Sequence, residues 1–225
     1  MNLALNAAAS ASRSGSSLAT AMRLIKRESS FGGDMRKPLV EMLNKLGYSD
    51  RLGLDCASRL WKDADHLVQF CSLLKYPVFF NGSDYNNTPK MIGNAALMNL
   101  VREHFVRDLL LLPADAVLVP LGEAVLQVLV HLQKDRLLPQ QLLRCDDQYV
   151  AVPHPSGQNG EAVALVLLDE FPSLDEYVEI RHRTYLAEKS WLVKGRPGPQ
   201  AAHVYRGKRA RYWRAAALVR RAHGL

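Results

Sequence analysis

Cysteine is scarce in this chain of 225 residues, and the three present (Cys56, Cys71 and Cys145) form no CxxC pair. That excludes a disulfide framework, a four-cysteine iron–sulfur cluster and a structural zinc site, and it fits a reducing compartment. Histidine is equally unhelpful to a metal. None of the seven is spaced as a ligand set, and His66 and His104 read as surface or half-buried side chains. Neither a metal nor any other cofactor is expected. Long apolar runs are missing too: Leu109–Leu112 and Ala162–Leu168 fall far short of the roughly 20 residues that cross a bilayer. No membrane partner is expected. Wholesale disorder is excluded, because 48% of the residues are hydrophobic, enough for a sizeable core.

Acid is the next shortage, and it is local. Between Arg181 and Leu225 twelve Lys or Arg stand against the single acid Glu188, a net +11, so the first 180 residues carry −4 of the overall +7. Tyr205, Tyr212 and Trp213 are interleaved with this charge. A basic segment with aromatics points to a polyanion partner. A solvated tail that aids solubility is the alternative. The chain accordingly divides into residues 1–180, one domain, and 181–225, a basic segment. At the other end, Met1 to Arg27 holds four basic residues, no acid and much Ala, Ser and Leu. It reads either as a mitochondrial transit peptide or as a short strand at Asn2–Leu5 followed by a helix over Ser16–Glu28. The location follows that choice: mitochondrial with a transit peptide, otherwise cytoplasmic and nucleoid-associated in a bacterium.

Periodicity predicts the remaining elements. Ser17 caps a helix bearing Leu18, Met22, Leu24 and Ile25, which Gly32 and Gly33 break. Pro38 opens another with Leu39, Met42, Leu43 and Leu46 on one face and Gly47 as its stop. Asp55 to about Leu74 predicts a third helix. Tyr76–Asn81 is short, branched and aromatic, a buried strand delivering the turn cluster 82–89. A helix over about 94–112 follows, then a strand at Ala116–Leu121, a helix from Gly122 to about Leu132, a strand at Tyr149–Pro153 and a helix from about Glu161. Strands alternating with helices predict a three-layer α/β/α domain around a central, mostly parallel four-stranded sheet. Ligands in such sheets lie at the carboxyl ends of the strands, which selects the loops at 81–89, Gly122 and 154–160.

The segment His154-Pro-Ser-Gly157 carries the most chemistry. Pro155 stiffens the loop and Gly157 lets a ligand approach closely. His154 is a donor without needing charge, and Ser156 with the following N–H groups suits a phosphate. After a strand, HPSG resembles the second motif of the uracil-DNA glycosylase superfamily. Val78-Phe-Phe-Asn81 is similar to the family strand whose last Asn reads the uracil edge. Val117–Ala124 is similar to the next strand–Gly–helix unit, and Phe31 is placed like the ring that stacks on a flipped base. The order and spacing of these pieces cover residues 4–170.

That resemblance implies a monofunctional, monomeric DNA-repair glycosylase of uracil-DNA glycosylase-like fold, hydrolysing the N-glycosidic bond of uracil in DNA after base flipping. Phe31 stacks on the base, Asn81 selects it, His154 stabilises the leaving anion, Ser156 grips phosphate, and Gly157 and Gln158 complete the substrate-binding loop. The 181–225 segment, through Arg206, Lys208, Arg209, Arg211 and Arg214, completes the DNA-binding face and holds the DNA backbone. Asn6, in Ala4-Leu-Asn-Ala-Ala8, takes the place of the family residue that positions water, although the glycine and proline of that first motif are absent. Gln158 and Asn159 replace the family's apolar wedge, which leaves single- and double-stranded preference open. Two alternatives stand beside the enzyme. One is a non-catalytic DNA-binding module that keeps the pocket, and the other a nucleotide- or RNA-binding protein on a doubly wound sheet.

Overall fold

A computed structural model describes residues 17–190 and 199–225. Helix α1 (Leu18–Ser29) starts where expected, with the Ser17 hydroxyl accepting the Thr20 N–H at 3.3 Å. It ends under Arg36, whose guanidinium caps the Arg27 and Glu28 carbonyls at 3.0 and 2.7 Å. Helix α2 (Arg36–Lys45) buries Leu39, Met42 and Leu43, and Gly47 (φ 73°) turns the chain into the single turn α3 (Tyr48–Arg51).

The long helix expected from Asp55 does not form. Only two 3₁₀ turns appear, Ala57–Trp61 and Asp65–Leu67. Side chains cap the first of these turns, Asn44 Oδ1 accepting from Ala57 N–H at 2.7 Å and the Asp55 carboxylate from Cys56 N–H at 3.0 Å. The chain then breaks at Lys62 (φ −131°, ψ −109°).

Residues 76–81 are not a buried strand either. Phe79–Phe80 (β1) pairs antiparallel with Ser83–Asp84 (β2). Asn81 and Gly82, at φ 50° and 75°, form the two-residue turn between them, the arrangement that Asn-Gly favours in a hairpin. Both strands are exposed, Phe79 by 66% and Phe80 by 45%.

Asn94 caps α4 (Ala95–Leu100), which runs through a π-helical stretch (Val101–Val106) into α5 (Arg107–Leu109). β3 (Val117–Leu118) pairs in parallel with β4 (Gln141–Leu142). Helix α6 (Glu123–Lys134) lies between them in sequence. β5 (Arg144–Cys145) and β6 (Gln148–Tyr149) form a second antiparallel hairpin. Helices α7 (Gly160–Leu167), α8 (Leu174–Ser190) and α9 (Pro199–Ala222) complete the described chain.

The expected three-layer α/β/α architecture is therefore corrected. Among the described residues, helices dominate and extended chain is confined to three two-stranded pairs and one parallel bridge, Leu121–Val152. The described residues form no four-stranded parallel sheet, so the fold is not uracil-DNA glycosylase-like, and a doubly wound sheet falls with it; the strand expected at Asn2–Leu5 lies outside the described residues. Proline supplies part of the reason. Pro77, Pro120 and Pro153 each remove a ladder donor from one of the three expected strands. The 79–84 hairpin also spends its own pairing capacity on itself.

Two apolar clusters hold the chain. One joins α2, Leu60 and Trp61, Val150 and Val152, α7 and α9; the other joins Met91, α4, the π-helical stretch, α6 and Leu142. The basic C-terminal stretch is thus part of a packed helix. Ala216 and Val219 of α9 are fully buried, Trp213 Nε1–H donates to the Pro172 carbonyl at 2.8 Å, and Arg220 donates to the Val166 carbonyl at 2.9 Å, closing the last turn of α7. No helix among the described residues is long and apolar enough to cross a membrane.

Candidate functional site

The loop after Val152 is anchored before its chemistry begins. Val152 N–H donates to the Pro120 carbonyl at 2.9 Å, and Gly122 N–H to the Val152 carbonyl at 2.8 Å. Pro153 and Pro155, both buried, flank His154 and restrict the backbone on either side of it. The His154 ring is half-buried, and its Nδ1 accepts the Ser156 N–H at 3.2 Å. An imidazole that accepts at Nδ1 carries its neutral proton on Nε2. Burial pushes His154 below its ordinary value of 6.5, so the neutral form is favoured at pH 7. The loop therefore presents an uncharged Nε2–H donor.

Gly122, beside His154, is required by its own backbone. Its φ of 93° is outside the range of ordinary residues, and a Cβ there would lie 3.4 Å from the His154 Cβ. Gly122→Ala should cost about 1–2 kcal/mol through the backbone alone. Urea unfolding checks this, and an unchanged midpoint would mean that the local backbone relaxes freely.

Phe31 stands beside His154, with ring centroids 6.3 Å apart and planes at 55°. This half-buried ring sits on a backbone at φ 50°, and its other neighbour is Phe70, edge-on at 5.7 Å. Phe70 in turn stacks on Trp61 at 4.6 Å. The fold thus joins Phe31 to His154 although 122 residues separate them.

Ser156 borders the pair. Its hydroxyl accepts the Asn159 amide at 3.1 Å and leaves its own proton for an acceptor. Gly157 and Gln158 are exposed in the short turn leading into α7. The Gln158 carbonyl lies 3.5 Å from the Tyr212 hydroxyl, which brings α9 beside the loop.

The five basic residues separate into two groups. Arg209 pairs with Glu161, which also takes the Tyr177 hydroxyl and Arg181 Nε, and Arg206 lies 3.6 Å from Glu179. Lys208, Arg211 and Arg214 are exposed, with the Lys208 ammonium 5.6 Å over the Tyr212 ring.

Asn81 is placed elsewhere. It occupies the exposed tip of the β1–β2 hairpin, whose flanking Val78 and Tyr85 pack on the second cluster, whereas Phe31 packs on the first. Among the described residues, the ring contacts and hydrogen bonds of Phe31 and His154 run to Phe70, to each other and to Ser156. Asn6 lies outside the described residues. The sequence reading missed Arg36, Trp61, Phe70 and Glu161. For the aromatics the available signal was the helix-breaking density of polar side chains around them; for Arg36 and Glu161 there was none.

Two half-buried histidines set a pH dependence of stability. His223 is also held below 6.5, chiefly by burial and further by the Arg51 charge, against the opposing bond from its ring to the Val219 carbonyl. Both groups take up a proton more readily in the unfolded chain. Stability should therefore be level above about pH 7 and fall as pH drops through 6.5. Asp63, Asp169 and Glu176, held low by Arg59, Lys45 and Ser173, lose their contributions only at more acid pH. Thermal midpoints between pH 8 and 5 check this. A His154→Gln/His223→Gln variant should lose the fall, and its persistence would assign the fall to other groups.

No family model matches the chain, and no solved structure matches it significantly. The uncharacterized protein YoxB of Bacillus subtilis (strain 168) is 30% identical over 167 residues, which are 74% of this chain and 61% of YoxB. The chain thus spans less than two thirds of the length of this curated relative.

Proposed function

We propose that the protein binds DNA, stacks an extruded uracil on Phe31 beside His154, and hydrolyses its N-glycosidic bond. The observation that carries this reading is the pairing of an aromatic ring with a neutral imidazole donor, 6.3 Å apart at the edge of one core cluster. Extruding a base costs a few kcal/mol. Stacking on one ring returns about 1–3 kcal/mol of that. As the C1′–N1 bond breaks, charge gathers on the uracil, and an Nε2–H donor at O2 stabilises it without first giving up a proton. Ser156 supplies a hydroxyl to the neighbouring phosphate, and Lys208, Arg211 and Arg214 supply charge along the strand. The reading rests on a site and not on a fold, since the same chemistry recurs on unrelated architectures.

A second reading, a non-catalytic DNA-binding module, is favoured by the position of Asn81 on the exposed hairpin tip, apart from the Phe31–His154 pair. Single-turnover release of uracil from labelled single- and double-stranded oligonucleotides separates the two. Release supports the enzyme, whereas tight binding with no release leaves the binding module.

A further inference from the structure

We propose that Phe70 and Trp61 are positioning residues that hold Phe31 in its base-stacking orientation, with Arg36 as the clamp on the turn that carries it. This rests on the reading of Phe31 as the stacking ring. A bulky residue at φ 50° stays there only when its surroundings fix it. Here the peptide before Phe31 is fixed directly. The Ser30 carbonyl accepts both the Trp61 Nε1–H at 2.9 Å and the Arg36 guanidinium at 3.3 Å. The same guanidinium nitrogen holds the end of α1, and the guanidinium carbon lies 5.6 Å from the centre of the Trp61 ring. Trp61 is buried, so the clamp is tied to the core and not to a surface loop.

The ring itself is fixed by a second route. Phe70 lies nearly parallel to Trp61, at 23°, and meets Phe31 in an edge-to-face pair at 72°. Trp61, Phe70, Phe31 and His154 form one continuous line of rings. Phe31 is thereby braced by Phe70 at one side while His154 stands at another. An aliphatic side chain at position 70 would fill space but lose the edge-to-face geometry that sets the Phe31 plane.

The test is equilibrium binding of the full chain to two labelled single-stranded oligonucleotides, one with a central uracil and one with an abasic analogue at that site. The wild type should prefer uracil by about tenfold, the equivalent of one stacked base. Phe70→Leu should bring that preference below about threefold while backbone affinity stays the same, and Phe70→Tyr should restore it. Trp61→Phe, which keeps a ring but loses the donor to Ser30, should lower the preference by about threefold, and it serves if Phe70→Leu fails to fold. Wild-type preference in folded Phe70→Leu overturns the positioning role alone. No preference in the wild type overturns the stacking role of Phe31 and the positioning role with it. A preference that Phe70→Leu loses, in a protein that releases no uracil, supports positioning and removes only the glycosylase.

Discussion

Replacing His154 by Ala should slow single-turnover release of uracil by about 10²–10³-fold, the usual cost of one preorganised donor at a developing anion. Affinity for DNA should change little, because phosphate contacts dominate it. The structural reason for so large an effect is that the donor needs no rearrangement. The Ser156 N–H at 3.2 Å fixes the tautomer, and buried Pro153 and Pro155 fix the loop. The rate should also fall at a pH lower than 6.5, where the half-buried ring, held under its ordinary value, takes up a proton on Nδ1 where Ser156 N–H already points. Asn6→Ala, measured alongside, tests the water-positioning role expected from sequence. Equal loss in both variants supports that role, and loss only at His154 assigns the water to another residue. A His154→Ala variant releasing uracil at the wild-type rate would sink the assignment of this loop.

The loop was legible in the sequence because its signals are local. Proline on both sides of His154, a glycine after Ser156 and a branched run before it act within a few residues, and the structure forms that turn and the helix after it. The helices at 18–29, 36–45 and 123–134 were legible for a similar reason, through capping Ser17, stopping Gly47 and a regular apolar spacing. What failed was the step from segments to sheet. Short apolar runs do not state their partners, and Tyr76–Asn81 pairs with the residues just after it because Asn81-Gly82 closes a local turn. That dipeptide was the available signal, and it was outweighed by the aromatic run before it. The 55–74 stretch failed because the chain breaks at Lys62 (φ −131°, ψ −109°), a backbone turn that no apolar period reveals. No local signal marks the Phe31–His154 contact, since 122 residues lie between the two.

Neutralising the exposed face of α9 in the triple variant Lys208→Gln/Arg211→Gln/Arg214→Gln should weaken DNA binding without regard to sequence. It should also flatten the dependence of affinity on salt. Each phosphate contact contributes about 0.9 to the slope of log affinity against log salt on duplex DNA, so three contacts contribute about 2.7. Over a fourfold rise in salt, the gap between wild type and variant should narrow by roughly 40-fold on the same relation. The three side chains are exposed, so their loss leaves the core intact. Deleting residues 203–225 would not give a clean answer, because it also removes buried Ala216 and Val219 and the Arg220 cap on α7. Arg209→Gln provides the internal control. Its partner Glu161 is largely buried, so the change should lower stability more than it alters the salt slope. Affinities measured by anisotropy from 50 to 200 mM salt decide the matter. A triple variant with the wild-type slope would show that this face does not meet the phosphates, and a changed slope in Arg209→Gln instead would move the DNA path toward the Glu161 side of the helix.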